Sequence, residues 1–189
     1  MKKFFAAIIF ALLLLLVESS AQSMPVQLFD HSVDYIISDL RTACREELGI
    51  SLWGTEYYTY QGARRCELHF GNSDNNTIRF RLNNDNSVVR VLVSVWVPDR
   101  KLSRAVAEAG EQCGFIAGAI LYSIGLTLSE IESLFNKATD DFYDTLNRNP
   151  YTTHYHESTS IWCPRIRRYV VLDLEGSPSM VEFYIYAHD

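Results

Sequence analysis

Apolar and polar positions alternate with period two across Thr77 to Leu82. Ile78, Phe80 and Leu82 fall on one side and Arg79 and Arg81 on the other, the pattern of an antiparallel strand with one wet face. Val88 to Val97 is mostly β-branched or aromatic and free of Pro and Gly, which predicts a strand buried on one face and largely on the other. Asn83 to Asn86 between them tolerates left-handed backbone and predicts a hairpin, the centre of the sheet. Ahead of it, Ser51 to Tyr60 and Arg64 to Phe70 read as a strand pair turning at Gln61-Gly-Ala63, with Cys66, Leu68 and Phe70 inward. Near the end, Arg168 to Leu174 and Met180 to Ala187 alternate again. Thr152 to Cys163 has no clear period and reads as an edge strand or a long ordered loop.

Three stretches switch to helical spacing. Phe29, Val33, Ile36, Ile37, Leu40, Cys44 and Leu48 form one stripe, stopped by Gly49. Leu102, Val106, Ala109, Cys113, Ile116, Ile120 and Ile124 form a second, flanked by Gly110, Gly114 and Gly118. Each interior Gly costs about 1 kcal/mol of helix propensity relative to Ala, so three predict a steric need, here a close approach to the sheet. Thr127-Leu-Ser-Glu130 has the form of a capping box and opens a third helix with Ile131, Leu134, Phe135, Ala138, Phe142 and Leu146 on one face.

The order is α-ββββ-αα-ββ, an α+β fold with an antiparallel sheet of about six strands and helices packed on one face. In that order it is similar to secretion-chaperone-like α+β domains and to cystatin-like domains, with no motif tying it to either. No repeat or linker divides residues 22–189, so they are read as a single domain.

The first residues set the expected compartment. Two lysines, an apolar run from Phe4 to Val17 and small residues to Ala21 have the form of a signal peptide spanning residues 1–21, which predicts a secreted or periplasmic protein. The apolar run is shorter than the ~20 residues of a spanning helix. The chain has 17 Lys and Arg against 23 Asp and Glu, and losing Lys2, Lys3 and Glu18 makes it one unit more acidic. That balance argues against nucleic acid, whose phosphates need cations. Only Lys101 and Lys137 are lysines beyond the leader, so the positive charge is arginine, suited to fixed bidentate pairing. Four cysteines in an oxidising compartment predict two disulfides, Cys44–Cys66 and Cys113–Cys163 being favoured over buried free thiols.

Catalytic signals are thin. His154 and His156 share one side of an extended segment, with Glu157 and His188 as candidate companions for a metal, but two histidines two apart are more simply loop residues. No Gly-x-Ser-x-Gly occurs, and Glu130, Glu132, Asp140, Asp141 and Asp144 read as a solvated helix face. No cofactor is implied. The outward strand residues say more. Arg79, Arg81 and Arg90, with Tyr184, Tyr186 and Trp96, are expected on the open sheet face, either neutralised by Glu67, Asp173 and Glu182 or presented to a partner. With 3 Trp, 11 Tyr and 10 Phe, one core of this size does not hide every aromatic. The leading expectation is a non-enzymatic protein-binding domain of adaptor, secretion-chaperone or inhibitor type. A small hydrolase using His154 and His156, or a small-ligand carrier, are the alternatives.

Overall fold

The computed structural model describes residues 32–97, 103–148, 155–177 and 179–188. The expected signal peptide, residues 1–21, and His154 lie outside the described residues. Three helices, α1 (Val33–Leu48), α2 (Ser103–Ile124) and α3 (Leu128–Arg148), accompany seven strands. The strands are β1 (Leu52–Tyr60), β2 (Ala63–Phe70), β3 (Ser73–Leu82), β4 (Val88–Trp96), β5 (Tyr155–Cys163), β6 (Arg168–Ser177) and β7 (Met180–His188). They form one antiparallel sheet in the order β1-β2-β3-β4-β7-β6-β5. The expected α+β fold is present, with seven strands where about six were read. The ambiguous segment before Cys163 is the added one, an edge strand paired to β6 from Tyr155↔Gly176 to Cys163↔Arg168.

Local chemistry sets the ends of the elements as the sequence predicts. Gly49 closes α1 in the left-handed region at φ 63°, and Ile50 N–H returns to Cys44 O at 2.9 Å. Asn86, at φ 66°, turns the β3–β4 hairpin, where Asn83 N–H donates to Ser87 O at 2.9 Å. Before α3, Thr127 N–H donates to Glu130 Oε2 at 2.7 Å and Glu130 N–H to Thr127 Oγ1 at 3.3 Å, a reciprocal capping box.

The helices share one side of the sheet, α1 reaching β1, α2 lying over β4 and β7, and α3 over β5 and β6. Between the layers, Cys66, Leu68, Phe70, Ile78, Phe80, Val91, Val93, Leu172, Phe183 and Ile185 meet Ile36, Leu40, Ile116, Ile120 and Leu134 in one buried core. The glycine stripe of α2 has a different neighbour from the one expected. A Cβ on Gly114 or Gly118 would sit 3.9 Å from the Phe135 ring of α3, so the stripe makes room for a helix, while Cys113, Ile116 and Ile120 face the sheet.

The two expected disulfides are not formed: Cys44, Cys66, Cys113 and Cys163 are buried free thiols. Cys113 lies over the middle of the sheet, its thiol 3.4 Å from Val181 O on β7 and 3.8 Å from Val93 O on β4. Cys163 belongs to β5, with all of β6 between it and β7. Two strand spacings of ~4.8 Å exceed the reach of a disulfide without backbone movement. Cys66 lies beside the Tyr57 hydroxyl and the charges of Asp34 and Arg41, earlier on α1 than Cys44. No described helix is long and apolar enough to cross a membrane.

Candidate functional site: the open face of the sheet

Because all three helices lie on one side, every second strand residue projects from the other. Strand register arranges these side chains in rows running across the sheet. One row reads Tyr58, Arg65, Arg81, Arg90, Tyr186, Val171 and Ser160 from β1 to β5. The next reads Glu56, Glu67, Arg79, Leu92, Tyr184, Asp173 and Ser158. A third reads Trp53, His69, Thr77, Ser94, Glu182, Glu175 and His156. Arg79, Arg81, Arg90, Tyr184 and Tyr186 therefore share one face, as the alternation predicts. Trp96 stands at the end of that face opposite Met180 and is 41% exposed.

Within the face, some charges are matched. Arg79 Nε donates to Glu67 Oε2 at 2.5 Å, and the Tyr58 hydroxyl donates to the same oxygen at 3.0 Å. Arg90 is held by aromatic rings, its guanidinium carbon 4.5 Å from the Tyr184 centroid and 5.3 Å from that of Tyr186. Arg65 lies 4.8 Å from the Tyr60 centroid. Each such contact stabilises by about 0.5–1 kcal/mol at an exposed site and fixes a flexible cation in place.

Other charges are not matched. The row Arg65–Arg81–Arg90 places three cations directly opposite one another on adjacent strands, with no carboxylate anywhere in the row. Like charges so placed are destabilising by roughly 0.2–1 kcal/mol per pair. Arg65 Nε and Arg90 Nε are buried beneath their neighbours with no hydrogen-bond partner, and Arg81 is exposed and pairs with no described side chain. On β7 and β6, the next two strands, the sign reverses. Glu182 stands opposite Glu175, and Asp173 lies on β6 between Ser158 and Tyr184. Burial, then the neighbouring Glu175 charge, raises the Glu182 pKa against the lowering effect of its hydrogen bond from Ser94 Oγ at 3.1 Å. Tyr184 is pushed up to about 12 by burial and by Glu182 and Glu175. Asp173 is 6% exposed, and its Oδ1 has no partner.

The remaining features flank these charges. At the far end of β5–β7, Trp162, Tyr169 and His188 form a row of rings, the Trp162–Tyr169 pair edge-on at 5.3 Å and the Tyr169–His188 pair stacked at 5.5 Å. An open, polar cleft of about 600 Å³ lies between the β1–β2 and β3–β4 hairpins, lined by Gln61, Ala63, Arg64, Arg81, Asn84 and Val89. Val89 is the unpaired residue of a bulge between Leu82↔Val88 and Arg81↔Arg90.

His156, the described member of the predicted histidine pair, is solvent-facing, with Nε2 4.0 Å from Asp173 Oδ2. It stands near the β5 edge, on the opposite side of the sheet's midline from the cleft. Among the described residues no three His, Cys, Asp or Glu converge to hold a metal ion.

No family model matches the chain, and no curated protein or solved structure matches it. The functional reading therefore rests on the face itself. Arg65 was not singled out from sequence, although the inward period of Cys66, Leu68 and Phe70 already assigns it to the outer face. The row it forms with Arg81 and Arg90 depends on register, which no residue pattern within a single strand specifies.

Proposed function

We propose that this is an exported, non-enzymatic docking protein that receives a protein partner on the open face of its sheet. One observation carries the reading: three arginines in register across β2, β3 and β4 with no carboxylate in their row. An isolated fold gains nothing from that arrangement. A partner bringing acidic groups turns repulsion into charge-assisted hydrogen bonds, for which the planar guanidinium is suited. Tyr184, Tyr186 and Trp96 add aromatic area of the kind that anchors protein interfaces. The signal-peptide form of residues 1–21 supports an extracytoplasmic site of action.

The reading is tested by immobilising the wild-type protein and an Arg65→Glu/Arg81→Glu variant and passing the native cell-envelope fraction over each. A protein retained by the wild type and released by the variant supports it. Identical retention by both, or none by either, sinks it. A hydrolase built on His156 and Asp173 is the second reading, favoured by their 4.0 Å approach. It is weaker because that pair lies on an open strand surface and the one cleft described above is elsewhere.

A further inference from the structure

The basic row of the open face borders the cleft between the β1–β2 and β3–β4 hairpins. Ala63 lies two residues before Arg65 on β2 and projects from the same face, so a methyl group is all that β2 puts there on the cleft floor. Arg81 and Arg64 line the walls, and both are exposed. Arg64 Nη1 donates to Asn84 O at 3.0 Å, a main-chain carbonyl, which ties the two hairpins together and leaves the guanidinium charge unneutralised. Arg81 pairs with no described side chain. The lining carboxylate, Asp85, turns its Oδ1 to Ser87, accepting the N–H at 3.0 Å and the hydroxyl at 2.7 Å.

We propose that this cleft binds a phosphorylated sugar, with the phosphoryl group on Arg81 and the ring hydroxyls on the side-chain amides of Gln61 and Asn84. Charge selects the head group. Arg64 and Arg81 line the cleft, and Arg65 stands one strand spacing of ~4.8 Å from Arg81. A carboxylate brings one negative charge and two oxygens to these three cations. A phosphoryl group brings nearly two charges and three acceptor oxygens, a number that suits three guanidinium groups. The lining selects the body. Amides both donate and accept hydrogen bonds, as sugar hydroxyls require. No aromatic ring lines the cleft, so a nucleobase finds no stacking surface there. The volume of about 600 Å³ lies within the ~300–1,000 Å³ range of small-ligand sites.

Other features converge on the same place. Arg65 Nε is buried without an acceptor, and the Tyr60 ring, 4.8 Å from the guanidinium carbon, holds this cation beside the cleft without cancelling its charge. Val89, the bulged residue of β4, lines the cleft, and bulges commonly re-aim side chains at binding sites. Gln61, at φ 51°, precedes Gly62 at φ 75° in the β1–β2 turn, where Asn, Asp or Gly is the usual first residue. A longer amide is thus kept at the cleft in a backbone conformation that disfavours it. The site goes beyond the protein-docking reading: Gln61, Ala63, Arg64 and Asn84 play no part in that reading, and a ligand here leaves Arg90, Tyr184 and Tyr186 uncovered.

Isothermal titration of the purified protein at 50 mM NaCl with glucose 6-phosphate, glucose and inorganic phosphate tests the proposal. Glucose 6-phosphate is expected to bind at least tenfold more tightly than either of the other two. Arg81→Gln weakens it at least tenfold. Ala63→Leu, which fills the cleft and leaves every arginine in place, also weakens it at least tenfold but keeps the affinity for inorganic phosphate within about twofold, which shows that the variant is folded. Methyl glucoside 6-phosphate separates two sources of the ligand: equal affinity identifies the end unit of a glycan, and a tenfold loss identifies the free sugar. No binding of glucose 6-phosphate at 10 mM overturns the proposal, as does an affinity no better than that of inorganic phosphate or one indifferent to Ala63→Leu. If the sugar phosphate fails to bind while an envelope protein is still retained through Arg81, the cleft site is excluded and the docking surface stands. If it binds and no protein is retained, the docking surface falls and the cleft site stands.

Discussion

Replacing Arg81 by Thr is expected to make the isolated fold more stable. Arg81 stands between Arg65 and Arg90 on neighbouring strands and pairs with no described carboxylate. Two unit charges ~6 Å apart in a water-like dielectric repel by about 0.7 kcal/mol, and Arg81 has two such neighbours. Counter-ions reduce the sum, so the gain is about 1 kcal/mol at low salt. It falls toward zero in 1 M NaCl, where the Debye length is ~3 Å. Thr also suits a strand and adds no charge. The assay is urea unfolding at 20 mM and 1 M NaCl, at a protein concentration where sedimentation shows a monomer; guanidinium is avoided because it is itself a salt. Arg79→Thr is the internal control. It removes the 2.5 Å contact to Glu67, a carboxylate whose side chain is 18% exposed, and should cost about 1–2 kcal/mol. Should Arg81→Thr destabilise the protein, or give the same gain at both salt concentrations, the row is not a like-charge liability and the argument for an absent partner fails.

Three further outcomes are expected. Native protein at pH 8 should leave its thiols unreacted with Ellman's reagent, because burial pushes Cys44 up to about 12, Cys66 up to about 11 and Cys113 well above the usual thiol range; four thiols should titrate in denaturant without reductant, and fewer would restore a disulfide. Glu182 has a raised pKa when folded, so between the ordinary glutamate pKa and that raised value the native state binds more protons and stability falls as pH rises; Glu182→Gln should remove this part of the pH dependence and raise Tm at pH 7, and an unchanged Tm–pH curve would refute the assignment. Gly125→Ala should cost more than about 1 kcal/mol by thermal melting, since φ is +105° and the added Cβ would fall 2.4 Å from Arg165 Cδ; a neutral substitution would mean that the turn relaxes freely.

What the sequence reveals of this protein is mostly what is local. The Gly49 stop, the Thr127–Glu130 box and the Asn83–Asn86 hairpin are each decided by residues within a few positions of one another, and each is where the pattern puts it. β5 escapes that reading because it is an edge strand whose helix-facing positions include Glu157 and Thr159, so alternation is blurred. The α2 glycines correctly signal a close approach, but spacing alone does not say whether a sheet or a Phe135 ring is the neighbour. The cysteine expectation errs for a related reason. Compartment and parity favour bridges, while sheet order decides whether two thiols can meet, and β7 enters beside β4 only after two helices and two more strands. The same long-range pairing sets the acidic half of the face beside the basic half, which is why single residues of the candidate site were legible and its division by sign was not.

The open face, rather than the sheet's edges, is where a partner gains most. A strand added at an edge needs a regular run of unpaired backbone groups. β1 interrupts that run with an irregularity between Trp53 and Glu56, at Gly54, whose φ is +62°. At the other edge α3 lies along β5, and Pro164 follows the strand directly, a residue without an N–H to extend the ladder. Both edges are thus poor templates for strand addition, whereas the face between them combines fixed arginines, exposed rings and unpaired polar atoms. A fold selected only for stability would neutralise that row with one carboxylate on β2, β3 or β4. Keeping Arg65, Arg81 and Arg90 in register is the arrangement expected of a surface whose counter-charge arrives on another molecule.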